Sequence, residues 1–268
     1  MRFAAVQFDI AWEDKAANHR AIESMLDDAG VEPGTYVLLP ELGDTGFSMN
    51  LDRIVDERSI AWAKEQARQR KIYLQAGFAR LKSDVDPASP PGRNCAAIIS
   101  PDGKLLGEYQ KVHPFSYGKE SRFYGGGDRL LLRRCGEAVV CPMICYDLRF
   151  PELWRLAAIA GAEVFAIGAS WPAERQDHWR SLIIARAIEN QAFVVAVNRC
   201  GSDPHLQYAG GSLIVAPSGE TLTAAGDQPQ VISAQLDLAS MRAWRAKFPA
   251  LADVKEQLLG SIKLDMSI

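Results

Sequence analysis

Apolar residues run almost unbroken from Arg2 to Phe8, which predicts a strand buried on both faces. The pattern then takes a helical period over Ala16 to Ala29, with Ala17, Ile22, Met25 and Leu26 apolar. Tyr36 to Leu39 predicts a second strand, stopped by Pro40-Glu41. A helical stretch from Ile60 to Arg70 and a strand from Ile72 to Phe78 follow. This alternation predicts an α/β organisation in which helices cover a sheet.

From Asn94 the spacing becomes that of hairpins. Cys95 to Ile99 and Leu105 to Val112 flank the turn Pro101-Asp102-Gly103. Pro217-Ser218-Gly219 plays the same part between Ser212 to Val215 and Glu220 to Leu222. The polar, Pro-rich stretch Ser83 to Arg93 lies inside the α/β pattern and is expected as a surface loop. No repeat, low-complexity stretch or dividing linker interrupts the chain, so residues 1–249 are expected to form a single domain. Residues 250–268 are expected as an extension, with a helical patch from Leu251 to Leu259 and a strand-like end.

Composition works mainly by exclusion. A formal net charge of -3 and a pI near 5.9 leave no basic footprint for nucleic acid. The longest apolar stretch, from Leu153 to Trp171, is broken by Arg155 and Glu163 and is not expected to span a bilayer. The five cysteines are odd in number and irregularly spaced. The first residues, MRFAAVQFDI, lack the apolar region of a signal peptide. Together these predict reduced thiols in a cytoplasmic protein.

One cysteine invites chemistry. Residues 138–144, AVVCPMI, predict a buried strand, and Phe150-Pro151-Glu152 opens a helix running through Ala158. Cys145 therefore falls on a strand-to-helix turn. There it is expected to be exposed at the sheet edge, with oriented backbone N–H groups favouring the thiolate. Cys141, inside the strand, reads as a core residue. A thiol nucleophile needs a base and an oxyanion stabiliser. The four histidines, His19, His113, His178 and His205, supply no compelling base. Glu41 and Lys111 are better placed, since each ends an apolar strand, where α/β sheets carry their sites.

The stretches LLPELGDTGFS, GEYQKVHPF and CYDLRFPE resemble the Glu, Lys and Cys signatures of the nitrilase superfamily of carbon-nitrogen hydrolases. The resemblance extends through AAVQFDI, HWRSLIIARAIENQAFVVAVNRCG and GGSLIVAPSGE, nearly the length of the chain. It implies an α/β fold of the four-layer αββα type, reached when two subunits pair sheet to sheet, with the segment after Pro249 crossing a homodimer or larger homo-oligomer. It also implies a second glutamate after the lysine, a place taken here by Glu120. Two positions depart from the family pattern: Gly43 replaces a common aromatic, and Pro114 follows His113 in place of an aliphatic residue.

The implied reaction is amide hydrolysis through a cysteine thioester, with Cys145 as nucleophile and Glu41 as proton carrier. Lys111 and the backbone N–H of Tyr146 would stabilise the oxyanion, and Glu120 would orient Lys111 and water. No metal or other cofactor is needed. Tyr146-Asp147 after the cysteine is the amidase-like variant. GFSMN, ASWPAERQDHW, ARAIENQAF, NRCGSD and RAKFPA are similar to the omega-amidase branch, which acts on 2-oxoglutaramate and 2-oxosuccinamate. Arg149 would bind the free carboxylate of such a substrate through its fork, or else pair with Asp147 or Glu152 to shape the turn. The rival readings are a carbamoylase or other aliphatic amidase on the same scaffold, a silent binding scaffold, and a metal site made of Cys141, Cys145 and His113.

Overall fold

The computed structural model describes residues 1–82 and 89–268. The first half of the chain builds β1 (Arg2–Gln7), α1 (Lys15–Asp28), β2 (Tyr36–Leu38), α2 (Leu51–Ile54), α3 (Arg58–Arg70), β3 (Tyr73–Leu81), β4 (Gly92–Ile99) and β5 (Leu105–Gln110). Next come β6 (Arg129–Cys135), β7 (Ala138–Ile144), α4 (Pro151–Ile159), β8 (Val164–Ala169), α5 (Gln176–Asn190) and β9 (Phe193–Asn198). The short strands β10 (Cys200–Ser202), β11 (Gln207–Ala209), β12 (Leu213–Val215) and β13 (Thr221–Ala224) precede β14 (Gln230–Gln235), α6 (Leu238–Lys247) and β15 (Lys263–Ser267).

Two mixed sheets result. One has the order β14-β1-β2-β3-β4-β5 and the other β13-β12-β9-β8-β7-β6-β15. Side-chain alternation explains why their strands read as continuous apolar runs. Phe3, Ala5, Tyr36, Leu38, Ala96 and Ile98 enter the core shared with the second sheet. Their neighbours Ala4, Val6, Val37, Ala97 and Ile99 pack with Ile22 and Leu26 of α1 and Ala63 and Ala67 of α3. Trp154 and Ala157 of α4 and Trp179 and Ile183 of α5 cover the second sheet. One chain thus completes all four layers, αββα, and pairing with a second subunit is not what creates them.

Within that apolar interface a polar bridge joins the sheets. The Tyr36 hydroxyl donates to Gln75 Oε1 at 2.6 Å, and Gln75 Nε2 donates to the Ala166 carbonyl at 3.0 Å. The great majority of buried polar groups in proteins are paired in some such way.

The expected surface loop Ser83 to Arg93 fares differently along its length. Residues 83–88 lie outside the described residues, while Gly92 and Arg93 already belong to β4. The helical patch expected from Leu251 to Leu259 is instead two short 3-10 turns, Ala250–Asp253 and Glu256–Leu258. Its apolar positions are covered unevenly, since Leu251 packs against the core while Leu258 is 78% exposed; with so little burial a short helix is not stable. The strand-like end is β15, which pairs in parallel with β6 and is tied by Arg133 Nη2 to Asp265 Oδ1 at 2.7 Å.

Candidate active site

Strand ends bring the site together. Glu41 follows β2, Lys111 follows β5, Cys145 follows β7 and Ser170 follows β8. Asn94 joins them from β4, which runs antiparallel to β3 and therefore begins at this end. The segment after β2 is wedged between the two sheets, and two strand glycines make room for it. A Cβ on Gly77 of β3 would lie 2.5 Å from the Pro40 carbonyl oxygen, and one on Gly168 of β8 would lie 2.6 Å from that of Leu39. Leu42, next to the glutamate, adopts a left-handed φ of 45° to make the turn.

Lys111 is the centre of the charge cluster. Its Nζ donates to Glu41 Oε1 at 2.6 Å and to Glu120 Oε2 at 2.8 Å, and all three side chains are within 1% of complete burial. Asn94 Nδ2 repeats the bridge, donating to Glu41 Oε1 at 2.8 Å and Glu120 Oε1 at 2.9 Å. The other Glu41 oxygen accepts the Ser170 backbone N–H at 3.0 Å. Glu120 accepts the Phe115 N–H at 2.5 Å. Phe47 caps the ammonium, its ring centre 5.3 Å from Nζ.

Burial works to lower the Lys111 pKa, but Glu120 and Glu41 outweigh it and hold the ammonium well above its ordinary value. Glu120 is raised, first by burial and also by Glu41, with Lys111 opposing. Cys145 is pushed well above the usual thiol range, first by burial and then by the Glu41 charge, against the pull of Lys111.

Burial corrects the expected exposure of Cys145 at the sheet edge, and the raised pKa runs against the expected thiolate. The Cys145 residue is 8% exposed, and it lines a small cavity of about 30 Å³ together with Phe47, Tyr146, Ser170 and Trp171. A wider vestibule of about 590 Å³ shares Phe47, Phe115, Arg175 and Leu206 with that cavity. The turn itself behaves as anticipated: Cys145 opens a 3-10 turn, Cys145–Arg149, and sits at a φ of 42°. Such a conformation persists only where surrounding contacts hold it. Asp147 does the holding. Its buried carboxylate accepts the Tyr109 hydroxyl at 2.8 Å and the His113 N–H at 3.0 Å. The Asp147 carbonyl accepts Trp154 Nε1 at 3.0 Å.

Tyr146 and Arg149 also line the inner cavity. The alternative pairing of Arg149 with Asp147 is not made, because Asp147 is engaged by Tyr109 and His113. Its guanidinium lies 4.8 Å above the Trp171 ring, with Nη2 3.2 Å from His178 Nδ1. Cys141 is fully buried within β7, as expected of a core residue. With Cys145 and His113 it forms no metal-ligand set, and among the described residues no group of three or more His, Cys, Asp or Glu side chains is placed to hold a metal ion. Of the two departures, Gly43 lies in the turn after Glu41, where a Cβ would meet the Pro40 carbonyl oxygen at 3.0 Å. Pro114 sits in the loop between Lys111 and Glu120. Asn94, Ser170, Phe47 and Arg175 were not anticipated. Asn94 has one available signal, as an amide placed directly before the apolar run CAAII.

A buried thiol beside a carboxylate and an ammonium, carried on an αββα sandwich, defines a cysteine-dependent hydrolase of carbon-nitrogen bonds. The chain belongs to the carbon-nitrogen hydrolase family, whose model matches residues 2–246. It is 34% identical over 259 residues to the 2-oxoglutaramate amidase of Bacillus subtilis (strain 168), covering 95% of this chain and 98% of that one. It is 32% identical over 260 residues to omega-amidase YafV of Escherichia coli (strain K12), covering 96% and 97%. Among solved structures it is similar to a CN-hydrolase superfamily protein of Xanthomonas campestris with an arsenic adduct in its active site. The TM-score there is 0.86 at 29% identity, over 97% of this chain and 99% of the other. Saccharomyces cerevisiae Nit3, of branch 10 of the nitrilase superfamily, aligns with a TM-score of 0.82 at 26% identity, over 93% and 94%. The protein is thus an amidase of the nitrilase superfamily, omega-amidase-like. No helix among the described residues is long and apolar enough to cross a membrane.

Proposed function

We propose that this amidase hydrolyses the terminal carboxamide of a small 2-oxo acid monoamide, such as 2-oxoglutaramate or 2-oxosuccinamate, to the 2-oxo acid and ammonia. The observation that carries the reading is the pairing of a catalytic-type thiol with the Arg149 guanidinium in one small cavity. The likeness to a 2-oxoglutaramate amidase supports the same substrate class.

In this reading Cys145 is the nucleophile. Glu41 takes the thiol proton as Sγ attacks the amide carbon, and the oxyanion forms between Lys111 Nζ and the Tyr146 N–H. Removing one such donor typically costs about 3–4 kcal/mol of barrier. Glu41 then delivers the proton to the amide nitrogen, the C–N bond breaks, and ammonia leaves a thioester. Next Glu41 takes a proton from water as its oxygen attacks the thioester carbon. The C–S bond breaks, and Glu41 returns the proton to sulfur. Glu120 holds Lys111 charged and in place and orients the water, and Arg149 receives the free carboxylate. Residues 1–249 are the hydrolase unit and residues 250–268 the extension, which packs at the interface of a homo-oligomer.

Ammonia release from 2-oxoglutaramate, with glutamine, an N-carbamoyl amino acid and a simple nitrile as comparators, tests the reading. Preference for the 2-oxo amide is expected. Turnover of the carbamoyl compound alone would move the protein to the carbamoylases.

A further inference from the structure

The charges around the inner cavity do not balance. Arg149 and Arg175 both line it, and no lining residue carries a carboxylate. Such a cavity favours an anionic guest, and it offers two planar forks where one carboxylate needs only one. The two arginines are held differently. Arg149 is occupied by His178 and Trp171, as described above.

Arg175 has a fixed backbone and an exchangeable head. Its N–H donates to the Pro172 carbonyl at 3.1 Å, and its own carbonyl accepts Trp171 Nε1 at 2.9 Å. The guanidinium rests against the rings of Phe115 and Tyr117, at 5.9 and 5.6 Å. Its carboxylate partner is the adjacent Glu174, at 2.7 Å, whose side chain is 62% exposed. Glu174 lines the vestibule but not the inner cavity. With one partner this open to water, the pair contributes less to stability than a buried one. An incoming carboxylate could therefore replace Glu174 at small cost.

We propose that Arg175 is a specificity-determining residue for the acid end of the substrate, exchanging Glu174 for the substrate carboxylate as the amide end reaches Cys145. The proposal rests on the 2-oxo acid reading above and deepens it. A 2-oxo acid presents three acceptor oxygens, two on the carboxylate and one on the ketone, which a single fork cannot satisfy. Arg175 and Arg149 together can. The aromatic platform under Arg175 also adjoins the chemistry. Phe115 exchanges two backbone contacts with Glu120, its N–H to Oε2 at 2.5 Å and its carbonyl to the Glu120 N–H at 3.1 Å.

The test compares three amides, 2-oxoglutaramate, glutaramate and uncharged butyramide, with the wild type, R175Q, R175K and E174Q. In R175Q the kcat/KM ratio of 2-oxoglutaramate to butyramide falls about tenfold or more, as loss of a charge-assisted bond requires, and it falls through KM. R175K recovers part of the loss, and E174Q raises the ratio by freeing the fork. Butyramide turnover reports a folded site in each variant. An unchanged ratio in R175Q, or a wild type that prefers butyramide to both acids, overturns the assignment. A wild type that prefers glutaramate to butyramide yet does not favour 2-oxoglutaramate overturns the 2-oxo acid reading alone. The Arg175 assignment is then judged on glutaramate.

Discussion

Glu41 and Glu120 are bridged twice, by Lys111 Nζ at 2.6 and 2.8 Å and by Asn94 Nδ2 at 2.8 and 2.9 Å. Two buried carboxylates thus share one buried cation and one neutral donor. Removing the cation leaves charge with no compensation, and breaking a buried pair costs about 3–5 kcal/mol. Lys111→Met is expected to lose stability on that scale in urea unfolding and to lose turnover. Asn94→Ala keeps the cation and gives up two hydrogen bonds, so its unfolding midpoint falls less. If Lys111→Met unfolds no more easily than Asn94→Ala, the two carboxylates do not depend on the ammonium.

Gly77 and Gly168 make a second pair of test sites, against the backbone that carries Glu41. Each faces the backbone of the Leu39–Glu41 segment so closely that a methyl group would overlap a carbonyl oxygen, at 2.5 and 2.6 Å. Backbone cannot turn aside as a side chain does. Gly77→Ala and Gly168→Ala are each expected to cost about 1–3 kcal/mol, the usual range for overpacking. Both should lower kcat by displacing Glu41. Full activity in either variant would show that the segment between the sheets has slack.

The residues that were legible in the sequence are those whose type is informative at a strand end. Glu41, Lys111 and Cys145 each follow an apolar run, and a charge or thiol there stands out. Glu120 was legible only through the family resemblance, because its own surroundings, GKESR, read as solvated loop. Asn94 and Ser170 are neutral residues within or beside strands, and their importance lies in what the opposite sheet brings to them. The burial of Cys145 was misjudged for the same reason. Phe47 and Trp171, which share its cavity, come from distant segments. By sequence Asp147 reads as an ion-pair partner of Arg149, but Tyr109 and His113, more than thirty positions away, claim it. The tail shows the converse limit: apolar spacing over 251–259 suggests a helix where Leu251 meets the core but Leu258 does not.

A pH response follows from His19. Its ring stacks on Trp62 at 4.1 Å, and its pKa is lowered from 6.5 to about 4, first by burial and then by the charges of Lys15 and Arg58, with Asp56 opposing. The folded state therefore prefers the neutral ring. The stability this contributes is complete above pH 6.5 and is lost as pH falls toward about 4. Asp56, lowered to about 2 by hydrogen bonds to Arg58 and Lys15 that overcome its burial, acts in a lower window. Melting temperatures measured from pH 7 to pH 4 are expected to fall more steeply in the wild type than in His19→Gln. Parallel curves would mean that the ring charges without cost.

Glu41→Gln separates two roles that the geometry combines. The Cys145 thiol is held well above its ordinary pKa by burial and by the Glu41 charge, with Lys111 pulling the other way. Neutralising Glu41 removes the second cause and also leaves Lys111 with one carboxylate fewer to offset its charge. Both changes favour the thiolate, so Cys145 in Glu41→Gln should ionise at lower pH than in the wild type. The ultraviolet absorbance of the thiolate, taken as the difference from the matching Cys145→Ala protein, follows that ionisation directly. Turnover should move the opposite way and fall about 10²–10⁴-fold, the usual contribution of a positioned acid-base group. More thiolate with less hydrolysis would mean that the rate is limited by the proton Glu41 carries, to the leaving nitrogen and then from water, and not by the supply of nucleophile. If ionisation shifts upward, or hydrolysis persists, the thiol is activated by some group other than Glu41.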